Sequence, residues 1–411
     1  MTDTPAELKP FPKTRPHDKP FDPHPDYAMY NAQGGLPRVS CPAGIDAYLA
    51  TDYATVRAVM SHPGTSAKAG SCGHVRIGYD FDQKASTGNL IQLDGEAHTR
   101  IRRLLISEFS VPRMRALRPY IARIVDQHIE AMLAKGPDPV DFVDEFAVPI
   151  PALVIAEMLG VPPGDRADFQ AWGRLAMDTD KSMDDLVEPT RPLVDYTAAF
   201  CHRQMRDPDE NSLIGRLVIN GKGTLTIEEL TEIGMIMLIA GHDTTANMIS
   251  LSTLALLENP EQLALLRDDP SIAASAVEEM MRYHSVVQFG ILRQATEDIQ
   301  LGDVAVKQGE WIINALSAAN RDPEVFGPTA DSIDVTRQRV GGQNQLAFGF
   351  GVHQCLGQNL ARVELEEVFR RLYSRVPTLR LAVPLGEVPF KQSSLVYGPA
   401  SMPMTWGQAG R

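Results

Sequence analysis

Cysteine is the scarcest chemistry-bearing residue here: there are four in 411 residues, at positions 41, 72, 201 and 355, with no C-x-x-C pair among them. Such scattered thiols exclude a disulfide scaffold or a zinc ribbon and point to a reducing compartment. Positive charge is also short. Lys and Arg number 39 against 52 Asp and Glu, a formal net charge of −13, whereas sequence-independent affinity for a phosphate backbone needs clustered cations. No nucleic-acid partner is expected. No G-x-G-x-x-G follows a strand pattern, so a flavin or nicotinamide held by this chain is excluded as well. The opening segment, MTDTPAELKPFPKTRPHDKPF, has no apolar run, so neither a signal peptide nor a membrane anchor is expected and the protein should be cytoplasmic.

What is present is an ordinary globular composition, 44% hydrophobic and 22% charged, without low-complexity tracts. The length lies above the usual range for one core and leaves the number of domains open. Residues 1–25 form an extended, Pro-punctuated arm. Nothing after them marks a linker or a repeat, so 26–411 is treated as a single catalytic domain. Helical periodicity dominates from about 97 to 283, and short β signals lie near 45–50, 291–316 and 379–405. The fold class is mainly α with small β-sheets. Ile233 to Leu257 is apolar enough to suggest a membrane span, but His242, Asp243 and several hydroxyl residues interrupt it, which favours a buried core helix. Thr226 and Glu229 make a capping box at its start and Pro260 stops it, giving about 33 residues and roughly 50 Å. Further helices are expected over about 271–283, carrying Glu278, Glu279 and Arg282, and from just after Cys355 to before Pro377.

The segment from Phe348 to Gly357, FGFGVHQCLG, sets a lone cysteine in a Gly-punctuated loop ahead of an amphipathic helix. A helix N-terminus offers unpaired N–H groups and partial positive charge, which lower a thiol's pKa and suit a metal-bound sulfur. Gly351 and Gly357 would let the backbone pass close to a flat macrocycle. This segment resembles the haem-binding signature of cytochromes P450, F-x-x-G-x-[H/R]-x-C-x-G, with every fixed position present. The resemblance implies a cytochrome P450 fold and haem b, with Cys355 as the axial metal ligand. It also implies that Phe348 packs beside the sulfur, that Gly349 and Gly357 belong to the cofactor-binding segment, and that His353 reaches a haem propionate. A thiolate ligand donates electron density to iron and favours O–O cleavage.

In the long helix, Ala240 to Thr245 reads AGHDTT, an acid and a hydroxyl side by side in apolar surroundings. Gly241 would leave room over a cofactor and let the helix bulge. His242 should point away, as a structural or solvent-facing residue. The segment resembles the P450 motif [A/G]-G-x-[D/E]-T-[T/S], which implies that Asp243 relays protons through water and Thr244 hydrogen-bonds the oxygen being activated. Glu279 and Arg282 lie one helical turn apart, and the resemblance closes them with Arg337 to fix the cysteine loop. His98 and Arg102, at i and i+4, match the helix that donates to haem propionates, with Arg293 a third partner. One departure stands out: many relatives carry Pro just after E-x-x-R, where this chain has His284 and Ser285.

The same resemblance places the substrate against the 72–92 loop, the 170–200 region, Met237, Ala240, Val287 to Leu292, and Leu395 with Val396. These apolar and small residues favour a lipophilic small molecule such as a terpenoid, steroid-like, polyketide or xenobiotic compound. Electrons would come from a ferredoxin with its reductase, docking on Arg103, Arg113, Arg115 and Arg362, and O2 would be the oxidant. The whole resembles soluble actinomycete P450s of secondary metabolism and xenobiotic oxidation. Two other functions stay open at this stage. A haem-thiolate isomerase or peroxide-driven enzyme would dispense with Asp243 and Thr244, and a haem sensor would call for an output domain or a second axial ligand.

Overall fold

The computed structural model describes residues 8–12, 14–41, 45–68, 87–136, 138–176, 183–338 and 344–407. The 72–86 part of the expected pocket wall, with Cys72, lies outside them, as do 177–182 of the 170–200 region.

The long helix is Ile227–Leu257, 31 residues or about 46 Å. Both halves of its capping box form: Glu229 N donates to Thr226 Oγ1 at 3.2 Å and Thr226 N donates to Glu229 Oε2 at 3.0 Å. It stops slightly short of the expected end, because Asn259, forced off α geometry ahead of Pro260, starts the next helix, Pro260–Asp268. From Thr245 to Leu256 every residue is buried, as expected of a helix walled on all sides. Its neighbours include Pro149–Leu159, Met183–Arg206, Ala273–His284 and Gln358–Arg375. The apolar stretch that could pass for a membrane span is therefore core, and among the described residues no helix is long and apolar enough to cross a membrane.

Among the described residues, ten short strands fill out the sheets: β1 (Arg38–Ser40), β2 (Asp46–Ala50), β3 (Thr65–Ser66), β4 (Val140–Asp141), β5 (Ile291–Ala295), β6 (Ile299–Leu301), β7 (Val304–Val306), β8 (Trp311–Asn314), β9 (Arg380–Leu381) and β10 (Pro403–Thr405). The largest sheet runs β1-β2-β8-β5-β3, with β2 and β8 parallel and the other pairs antiparallel. Alternation decides its faces: on β2, Ala47 and Leu49 enter one small core while Tyr48 and Ala50 enter another. The main core runs from Leu90 to Trp406 and joins the helices to the β4-β10-β9 sheet. Strands β1, β3 and β4, two or three residues each, are too short to show periodicity in the sequence.

The described part of the Pro-rich arm is pinned to the fold, and it turns at Pro16–Lys19 and Lys19–Asp22 instead of staying extended throughout. Phe11 N donates to Ser40 O at 2.9 Å, beside β1. The Arg15 guanidinium is buried, donates from Nη2 to His284 O at 2.8 Å and lies over the Tyr397 ring, 4.4 Å from its centroid.

Candidate functional site

The cysteine helix, Gln358–Arg375, begins right after the loop that carries the sulfur, with Gly357 as its N-cap. Gly349 and Gly351 hold φ of +70° and +76°, conformations that cost most side chains steric energy. A Cβ on Gly351 would stand 2.7 Å from Met60 O. Gly351 therefore serves the packing of the loop on helix Tyr53–Ser61, not the approach of a macrocycle expected from sequence. Cys355 N donates to Phe348 O at 2.8 Å, closing the loop on itself, and the Phe348 ring lies under the Arg362 guanidinium at 4.6 Å.

The Cys355 thiol is accessible at the surface of its recess, yet deeply set among protein atoms. That burial pushes the thiol up from its ordinary value, against the pull of the Gly357 and Gln358 N–H groups and of Arg102 and Arg362. The lowered pKa expected from the helix N-terminus is thus overturned. The N–H donors are in place, but desolvation of the charged form outweighs them.

Four basic side chains from three separate segments converge near this sulfur. His98 and Arg102 come from helix Gly95–Ile106, Arg293 from the centre of β5, and His353 from the loop. Arg102 Nη2 donates to Gln354 O at 2.6 Å, and the His98 and His353 rings lie 4.2 Å apart. His98 is buried and its Nε2 meets no partner. Burial, with His353 and Arg102 adding to it, brings its pKa down to about 4. Arg293 is buried and donates to Leu292 O at 2.8 Å.

Asp94 joins the site without any mark in the sequence pattern. Rather than capping its own helix, its carboxylate accepts from Ser66 Oγ, from Ala67 N at 3.2 Å, and faces His353 Nε2 at 3.2 Å. Burial works to raise it, but His353, Ser66 and Ala67 together hold it well below the usual carboxylate range. No local signal marks this role, because β3 and the cysteine loop reach Asp94 from distant parts of the chain. His353, expected to reach toward an anionic group, is met by this one.

The E-x-x-R pair is wholly internal. Arg282, 2% exposed, donates to both Glu279 oxygens at 2.8 and 2.7 Å and to the carbonyls of Asn320, Ala330 and Ser332. Arg337 Nε adds a bond to Glu279 Oε2 at 3.0 Å, as expected. Asn320 Oδ1 in turn accepts from Leu346 N at 2.7 Å, which ties the network to the start of the cysteine segment. Ser285, just after the pair, ends the helix at φ +43° and accepts from Asn320 Nδ2 at 2.7 Å.

On the long helix the expected bulge is absent: the backbone stays α-helical from Ile227 to Leu257, and a Cβ on Gly241 would stand 2.8 Å from Ile155 Cδ1. Gly241 admits a neighbouring helix, not a cofactor. His242 is buried with Nε2 3.2 Å from Val148 O, so it is structural. Thr244 Oγ1 donates back to Ala240 O at 2.8 Å, while Asp243 Oδ1 accepts from Asn247 Nδ2 at 2.8 Å and pairs with Lys391 Nζ at 3.5 Å. Even so, Ala240 is exposed, with Met237 and Thr244 partly so, in mid-helix. At spacings of three and four these residues share one accessible stripe on a helix otherwise enclosed. Leu395, 38% exposed, is a second accessible apolar residue of the expected wall.

Of the four arginines expected to dock a partner, Arg113 pairs with Glu108 and Arg362 with Glu278, whereas Arg103 and Arg115 are exposed. Val352, on the cysteine loop, is 67% exposed.

This donor set fits a haem. An accessible sulfur receives two backbone N–H groups, and the surplus of positive charge around an orphaned, buried imidazole nitrogen suits paired carboxylates.

Comparison with known proteins agrees. A family model described as Cytochrome P450 matches residues 271–377. The chain is similar to Cytochrome P450-SU2 of Streptomyces griseolus, 39% identical over 403 residues and 98% of each chain. It is similar to a vitamin D3 dihydroxylase of the same organism, 38% identical over 98% of this chain and 96% of that one. A solved structure, of CYP105P1 in complex with filipin I, superposes with a TM-score of 0.91 at 38% identity, covering 98% of this chain and 100% of that one.

Proposed function

The chain belongs to the cytochrome P450 family, and we propose that this haem monooxygenase uses haem b, O2 and electrons from a ferredoxin with its reductase to hydroxylate a lipophilic small molecule. The observation that carries the reading is the meeting of an accessible Cys355 sulfur with His98, Arg102, Arg293 and His353. When bound, the haem supplies dioxygen activation, which a thiolate ligand promotes by donating electron density to the iron.

The residues then have separate tasks. Cys355 Sγ would be the ligand that holds the haem iron, which would favour the thiolate form that burial alone disfavours. The N–H groups of Gly357 and Gln358 stabilise the sulfur's charge, while Phe348 and Gly349 fix the loop's shape. Arg102, Arg293, His98 and His353 would hold the propionates, with Asp94 orienting His353. Asp243 carries protons at its carboxylate, and Thr244 Oγ1, once turned from Ala240 O, positions them. Glu279, Arg282 and Arg337 hold the loop.

A relative named for vitamin D3 and another solved with filipin I support a lipophilic substrate, as do the accessible Met237, Ala240 and Leu395. The exposed Arg103 and Arg115, and the exposed Val352 on the cysteine loop, suit an acidic electron donor. Residues 26–411 act as one catalytic unit in the cytoplasm, a reading that rests on the shared core and the scattered thiols.

The test is spectroscopic, then kinetic. Haem-loaded protein reduced under carbon monoxide is expected to give a thiolate-type band, and Cys355→Ser to lose it. Ferredoxin, reductase and NAD(P)H with candidate substrates are expected to give coupled hydroxylation. Thr244→Ala is expected to keep the band but divert electrons into peroxide. A wild-type protein without the thiolate band would refute the haem assignment, and unchanged coupling in Thr244→Ala would refute that residue's role.

A further inference from the structure

The side chain of Asp243 is held from two sides. Asn247, one turn further along the helix, donates from Nδ2 to both Asp243 O and Asp243 Oδ1 at 2.8 Å. Lys391, from the loop after the last long helix, sets Nζ 3.5 Å from Asp243 Oδ1 and 3.3 Å from Asn247 Oδ1. Acid, amide and ammonium thus close a three-membered ring of contacts. Asp243 and Asn247 stand about 40° apart around the helix axis, whereas Asp243 and Thr244 stand about 100° apart. The carboxylate is therefore drawn along the helix face of Asn247, while the Thr244 hydroxyl turns to Ala240 O. His242, the other titratable neighbour on the helix, faces Val148 O. Among the described residues, Lys391 is the cation that pairs with Asp243.

The loop that delivers Lys391 is itself fixed. Lys391 N donates to Gly398 O at 3.0 Å, and a Cβ on Gly398 would run into the Asn247 amide, so the loop lies directly on the long helix. The same loop carries Leu395 and Val396 of the expected substrate wall, and Val396 bridges to Val287 of the other wall segment. Whatever moves the wall moves the ammonium.

We propose that Lys391 is a positioning residue that latches Asp243, and that a shift of the 389–399 loop releases the acid for proton delivery, coupling the substrate wall to the proton supply. This rests on the P450 reading above, in which Asp243 carries protons. The ion pair and the Asn247 bond fix the carboxylate in one rotamer, turned along the face of Asn247, and a carboxylate that cannot swing is a poor proton carrier. Lys391 is 28% and Asp243 12% exposed, so water reaches the ammonium side of the pair and can take over its solvation when the loop shifts, as a latch requires.

The test uses haem-loaded Lys391→Gln, Lys391→Arg and Asp243→Asn, each checked for an intact carbon monoxide band. NADPH oxidation through ferredoxin and reductase is measured in H2O and D2O. The protection of Lys391 from acetic anhydride, read by mass spectrometry, gives a signal independent of turnover. Lys391→Gln is expected to speed oxidation by up to about five-fold, with a smaller solvent isotope effect. Lys391→Arg should behave as wild type, and Asp243→Asn should slow oxidation and expose Lys391 to acylation. In an Asp243→Asn background, Lys391→Gln should add nothing. The latch is overturned if Lys391→Gln slows turnover, if Gln and Arg act alike, if the effects add, or if acylation is unmoved. If Asp243→Asn turns over like wild type, the proton-carrying role of Asp243 falls first, a separate and recognisable result.

Discussion

Glu364 lies fully inside the cysteine helix's packing, and its Oε2 meets no hydrogen-bond donor. Burial pushes its carboxyl up to about 8, so the folded protein keeps a proton that the unfolded chain loses above about pH 4.5. Between those values the folded state binds more protons, and stability falls as pH rises, levelling off above pH 8. Replacing Glu364 with Gln, which cannot ionise, should flatten this trend. The variant's melting temperature relative to wild type is expected to rise from pH 5 to pH 8.5, by an amount equivalent to a few kcal/mol at most. Measuring the difference between two pH values cancels any constant cost of burying the amide. A gap that stays the same at both would show that Glu364 is ionised inside the fold.

At the scale of elements, the E-x-x-R helix works by joining three segments through one buried charge pair. Changing Glu279 to Ala leaves Arg282 internal without its counter-charge, a loss of about 3–5 kcal/mol. A large drop in the thermal midpoint is expected, with less haem retained per chain, and a shift of a degree or two would contradict this. This pair was legible from its spacing and from the order of the surrounding motifs. So were the long helix, from its capping box and Pro260, and the cysteine loop, from its glycines. The glycines were legible in position but not in purpose. Gly351 and Gly241 answer to Met60 and Ile155, neighbours that sequence periodicity cannot supply. Asp94 and Lys391 were missed for the same reason, since each meets its partner only after distant segments pack. The thiol's direction was misjudged because helix-end effects are local and visible, whereas desolvation sums over the whole surround.

For the molecule as a whole, the arm at residues 8–25 is a structural part of the fold. Arg15 bonds to His284 O and, through its own N–H, to Gln392 Oε1, and it covers Tyr397. Substituting Arg15 with Met should leave His284 O unsatisfied and cost about 1–3 kcal/mol. The expected readouts are a lowered melting temperature and altered ligand-induced spin-state shifts, because the loop it braces carries Leu395 and Val396. Wild-type values for both would mean that the arm merely lies on the surface. Arg15 and Gln392 are also 377 positions apart. At ribosomal rates of 5–20 residues per second, the arm waits roughly 20 to 75 s after its own synthesis before that partner exists. A Pro-punctuated, charged segment waits well, since it neither coils into a premature helix nor sticks to the nascent core. Its docking is then among the last acts of maturation.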